Sequence, residues 1–103
     1  MVVPTGFVDQ ALLASAVEKA SHALGPEVVR LKHLVGADTS GDAAIFFRIV
    51  LADWAVDEAT LADVSGKIAT TLIDGIRPLE NWGLFPYFSF RSNSEQSMDR
   101  DWA

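Results

Sequence analysis

Cationic and aromatic side chains recur at alternate positions in three β-prone stretches, and their chemistry is recognition. Arg30 and Lys32 alternate within 28–35, and Phe46, Arg48 and Val50 alternate in the stretch after Gly41. Phe85, Tyr87 and Arg91 do so near the end. Period-two spacing places each set on one side of its strand. Arginine and aromatic residues are enriched in the desolvated centres of protein interfaces. Together with lysine they also make stacking platforms for single-stranded nucleic acid. The candidate interface is therefore Arg30, Lys32, Phe46, Arg48, Val50, Phe85, Tyr87 and Arg91.

Other reactive residue types form no catalytic pattern. His22 and His33 are the only imidazoles. His22 falls on the polar side of a helical stretch. His33 falls on the inward side of a strand, where a structural histidine is expected. Neither has an acid at metal-ligand spacing on its own element. Asp38-Thr39-Ser40-Gly41-Asp42 lacks the alternating ligands and closing Glu of a calcium loop, and reads as a hairpin turn. No serine sits in a nucleophile-elbow pattern. Gly75-Ile76-Arg77-Pro78 follows a helix, whereas a phosphate loop precedes one. The expectation is no catalytic residue, no cofactor and no metal. An enzyme reading survives only for a site built across a dimer interface.

The chain has 103 residues, half of them hydrophobic, which suits one domain with one core. Its formal net charge is −6, so it has no general attraction to nucleic acid or anionic lipid. Without cysteine it has no disulfides and no thiolate metal site, which agrees with a cytoplasmic location. The first residues lack the positive region of a secretory signal. No apolar run reaches the ~20 residues that span a bilayer, so no membrane role is expected.

The elements that position these residues follow from periodicity. Residues 7–24 carry Val8, Leu12, Leu13, Ala16, Val17, Ala20 and Leu24 at helical spacing, with Thr5 or Asp9 as cap and Gly25-Pro26 as stop. Residues 28–35 predict a strand with Val29, Leu31, His33 and Val35 on its inner side. The strand after Gly41 is the organiser: Ile45, Phe47, Ile49 and Leu51 share one wholly apolar face. Asp57 caps a second helix that runs to about Asp74, with Leu61, Val64, Ile68, Leu72 and Ile76 as its stripe. Gly75 and Pro78 end it, and Asn81-Trp82-Gly83 reads as a turn. Leu84–Arg91 is a third strand, where Pro86 implies a sheet edge or a bulge. There Leu84, Phe88 and Phe90 are expected inward. Residues 1–92 form the domain, and the polar stretch 93–103 is expected to fray.

The order α-β-β-α-β predicts an α+β two-layer sandwich. Its three-stranded mixed sheet has the organising strand in the middle and both helices on one face. This order resembles the cytoplasmic C-terminal domain of cation diffusion facilitators, which dimerises and binds metal. The acids and histidines of those metal sites have no clear match here. Gly41-Asp42-Ala43-Ala44-Ile45 and Pro86-Tyr87-Phe88-Ser89-Phe90-Arg91 are similar to a set of small uncharacterised bacterial proteins, over about residues 26 to 95. That resemblance implies a partner encoded beside another small protein. The element order is also similar to a type II KH arrangement, but the Gly-x-x-Gly loop that clamps nucleic acid is missing.

Two helices leave one side of the sheet uncovered. The expected function is a non-enzymatic protein-interaction domain that self-associates as a homodimer through this open face or an edge. The expected role is that of a small subunit or regulatory partner of a neighbouring-gene product, with a second protein as the other kind of occupant. A single-stranded nucleic-acid module is the alternative, disfavoured by the net charge.

Overall fold

The structure, a computed structural model, describes residues 9–98. Helix α1 (Gln10–Ser21) starts where the Asp9 carboxylate accepts the Leu12 N–H at 3.1 Å. Thr5, Phe7 and Val8 lie outside the described residues. Strands β1 (Val28–Ala37) and β2 (Ala43–Leu51) form an antiparallel hairpin, and a single 3₁₀ turn (Asp53–Ala55) follows. Helix α2 (Glu58–Ile76) is capped by Asp57, which accepts the Ala59 N–H at 3.0 Å. A short helix α3 (Pro78–Trp82) leads into β3 (Phe85–Ser92), which pairs with β2 in parallel. The sheet order is β1-β2-β3 with β2 central, as the sequence predicts.

The core lies on one side of the sheet. Ile45, Phe47, Ile49 and Leu51 of β2 pack with Leu13, Val17 and Ala20 of α1 and with Ile68, Leu72 and Ile76 of α2. All these side chains are buried, so the apolar face of β2 receives both long helices. Phe88 and Phe90 join from β3, and the Phe47 and Phe88 rings stack with centroids 5.2 Å apart. Leu84, also placed inward, is fully buried just before β3.

Local chemistry corrects several expectations. A bulge between Val28 and Arg30 shifts the β1 register. Val28 therefore faces the core opposite Leu51, and Val29, expected inward, is 53% exposed. Leu12 also leaves the α1 stripe and is exposed. Pro86 sits on an edge strand whose register with β2 runs without a break, so the edge reading holds and the bulge does not occur there. The 81–83 turn is the end of α3, with Gly83 left-handed at φ 66°. Of the stretch expected to fray, Asn93–Met98 forms helix α4, and the remainder lies outside the described residues.

Gly75 has a different role from the one expected. Helix α2 runs through it, and the left-handed residue that ends the helix is Arg77 at φ 52°. The Arg77 N–H donates to the Ile73 carbonyl at 2.7 Å, and its Nε lies 3.1 Å from Glu80. A Cβ at Gly75 would meet the Ala20 side chain at 3.0 Å, so this glycine permits the close approach of α1 and α2. Gly66 is also within α2, but a Cβ there meets nothing. Gly66→Ala is expected to stabilise the fold by about 0.5–1 kcal/mol through helix propensity. Gly75→Val is expected to destabilise it by forcing the helices apart. Urea midpoints of the two variants moving in the same direction would refute this division.

Candidate functional site

The register sorts the open face of the sheet into rows. Gly36, Ala44 and Phe85 lie side by side across the three strands, and the next row is Leu34, Phe46 and Tyr87. After these come Lys32, Arg48 and Ser89, and then Arg30, Val50 and Arg91. Alternation alone could place such residues on one face, but only the register aligns them across strands. The result is a segregated surface, apolar toward the β1–β2 turn and cationic toward the other end.

In the apolar half, the Phe46 and Tyr87 rings stack with centroids 5.4 Å apart and planes 20° from parallel. Leu34 is 49% exposed, Tyr87 43% and Phe85 37%. In the cationic half, Arg30 and Lys32 are exposed, and Arg48 and Arg91 are half-buried. Lys32, Arg48 and Arg91 also interact within the chain. Seven of the eight candidate residues thus keep some exposure on this face. Val50 is the correction: it is only 2% exposed. It lies between Arg30 and Arg91 in register, and α4 approaches the same end of the sheet. Arginine stems readily cover an apolar neighbour.

Asp38 was legible only as a turn residue, yet it ties the turn to the face. Its Oδ1 accepts the backbone N–H groups of Ser40 at 2.9 Å and Asp42 at 3.0 Å. The Tyr87 hydroxyl, on the far strand, donates to Asp38 Oδ2 at 2.7 Å. That hydrogen bond, helped by the backbone bonds, holds the Asp38 carboxyl below the usual carboxylate range. The same bond raises the Tyr87 hydroxyl above the usual phenol range, because losing its proton would forfeit the donation. The Asp-Thr-Ser-Gly run signals such a side-chain-capped turn, but the Tyr87 bond spans 49 positions and follows only from strand order.

A second polar clasp sits at the opposite end. Asp53 accepts the Ser94 N–H at 3.0 Å and the Ser94 hydroxyl at 2.6 Å. The two bonds to Ser94, the hydroxyl's first, lower the Asp53 pKa. Asp53 therefore fastens the start of α4 to the exit of β2.

A cleft of about 430 Å³ opens between α1 and the outer edge of β1. Of the residues that line it, only Glu18, Ser21 and Arg30 have polar side chains. The Ser21 hydroxyl donates to the Glu18 carbonyl at 2.6 Å, so it is engaged with its own helix. That arrangement offers no activated nucleophile. His33 lies elsewhere, half-buried opposite Phe47, and His22 is exposed. Among the described residues, no three His, Asp or Glu side chains cluster as metal ligands, and no helix is long and apolar enough to cross a membrane. No family model, curated protein or solved structure matches the chain.

Two titrations follow from this geometry. Tyr87→Phe removes the strongest influence on Asp38, so the Asp38 carboxyl should titrate at higher pH, toward its ordinary value. Carboxyl carbon shifts in NMR would report this, and an unmoved midpoint would show that the Tyr87 bond is absent in solution. Burial lowers the His33 pKa by disfavouring the charged ring. A histidine with a lowered folded pKa contributes full stability above its unfolded value, about 6.5, and loses it as pH falls below that. His33→Gln should flatten the stability profile below about pH 6.5, measured by urea unfolding across pH.

Proposed function

We propose that this domain is a non-enzymatic protein-interaction module that self-associates through the open face of its sheet. The observation that carries the reading is the stacked Phe46–Tyr87 pair on the sheet face opposite the core, with Leu34 and Phe85 exposed beside it. Exposed aromatic surface on a sheet is costly in water and is usually covered. Two-fold homodimers are the commonest oligomers, and stacking two such faces covers both. A cysteine-free chain is compatible with work in the cytoplasm, as a small subunit or a regulatory partner.

A second reading has its own support. Lys32 and Arg48 lie in the row beside the stacked rings and Arg30 and Arg91 in the row beyond, and such a surface suits single-stranded nucleic acid. The net charge of −6 opposes it.

Light scattering after gel filtration distinguishes these readings. Self-association predicts a dimer at micromolar concentration. Phe46→Glu should weaken that dimer about 30-fold or more, the scale of a central interface aromatic, while helical circular dichroism persists. A wild-type monomer at 100-fold higher concentration would remove the dimer reading. Salt-sensitive binding of a short oligothymidine by that monomer would favour the second.

A further inference from the structure

The face has a polarity that distinguishes two ways of stacking it on a second copy. Its cationic rows lie at the β1 start and β2 end, and its apolar rows lie next to the turn. Beyond the apolar rows the turn itself carries Asp38 and Asp42. Acid, apolar and cationic surface therefore follow one another along the strand direction. Among the described residues, the acids near the cationic end include Glu27, Asp53 and Glu95: Asp53 and Glu95 are hydrogen-bonded to Ser94 and to the Ser92 N–H, and the Glu27 carboxylate lies against Gly25.

Two ways of stacking this face on itself differ in what meets what. If the two-fold axis runs along the strands, every row meets its own copy. Arg48 then lies over Arg48 of the second copy and Arg30 over Arg91, and like charges oppose one another. If the axis runs across the strands, the order of rows is reversed in the second copy. An axis at the level of Val35, Ile45 and Pro86, which are neighbours in register, superposes the two apolar rows on each other. It also carries Arg48 to the level of the second copy's Asp42. Lys32, beside Arg48 on β1, falls at the level of Asp38, since Ala37 and Ala43 close the hairpin register. Face-to-face sheets pack about 10 Å apart, within reach of lysine and arginine side chains directed at the partner. The Tyr87 and backbone bonds that hold Asp38 below the usual range keep its carboxylate charged.

We propose that two copies of this chain stack their open faces with strands antiparallel, Lys32 and Arg48 of each seated on the Asp38–Asp42 turn of the other. This rests on the self-association reading above and adds the register and the specificity-determining pairs. It makes the interface isologous, with each charge contact present twice.

Charge exchange tests the register separately from the dimer itself. Arg48→Asp places acid against acid at both contacts, and Asp42→Arg places cation against cation. Each variant alone should dimerise at least about tenfold more weakly than wild type. Mixed in equal amounts, the two should form a heterodimer tighter than either homodimer, because both contacts are then opposite in sign. The double variant should regain the homodimer. Sedimentation of full-length variants, one carrying a fluorescent label, reads each case, and circular dichroism confirms folding. Lys32→Glu, at an exposed position on the edge strand, reads the same interface if Arg48→Asp fails to fold, and should weaken the dimer about tenfold. A wild-type dimer that is broken by Phe46→Glu but indifferent to all three charge changes, or a mixture that fails to associate, overturns the register alone. A wild-type monomer overturns both the register and the self-association reading.

Discussion

Two helices can cover one face of a three-stranded sheet, and that constraint governs this molecule. Ile45, Phe47, Ile49 and Leu51 give β2 a continuous apolar side, and α1 and α2 are both drawn to it. Burying each such side chain is worth roughly 1.5–3 kcal/mol, so neither helix gains by lying elsewhere. Gly75 refines the arrangement by letting the helices meet closely over the sheet. The other face then has to solve its own exposure with local means. It does so in part: the Phe46 ring stacks on Tyr87, and the Tyr87 hydroxyl donates a hydrogen bond to the turn.

The two polar clasps stand at opposite ends of the sheet and answer different needs. Asp38 organises a turn whose backbone would otherwise hold unpaired N–H groups. Asp53 does the same for the first turn of α4. Both residues are exposed or nearly so, and their value lies in geometry rather than in buried charge. The cleft beside α1 has only Glu18, Ser21 and Arg30 as polar lining residues. What the molecule displays is a surface with a direction.

Much of this was legible in the residues. The alternation of β2 and the spacing of Leu61, Val64, Ile68, Leu72 and Ile76 specify which sides face inward, because burial enforces period and face together. The Asp57 cap follows from side-chain chemistry within two residues of its partner. The misplaced details share a cause. Val29 was lost to a bulge, Gly75 to a helix–helix contact, and Val50 to neighbours on two other strands. Each depends on groups distant in sequence, which local periodicity does not encode. The segregation of aromatic from cationic rows was hidden for the same reason. The membership of the face was readable from alternation, but its layout depends on how three strands are aligned.

The two seams of the sheet also differ in what they cost to close. The β1–β2 seam is joined by residues 38–42, whereas the β2–β3 seam is joined by residues 52–84. The entropy of bringing chain ends together grows slowly with length, so the longer connection costs roughly 1.5–2 kcal/mol more. Parallel pairing is also slightly weaker per residue than antiparallel pairing. That difference is met from within the connection itself, since α2 lies inside it and brings Ile68, Leu72 and Ile76 to the core. The hairpin is a local structure, but β3 is held in place by the very segment that separates it from β2. Half of the aromatic pair, Tyr87, belongs to that strand. The open face with its stacked pair therefore exists only once the whole domain has assembled, and a fragment ending at β2 would carry the core strand without it.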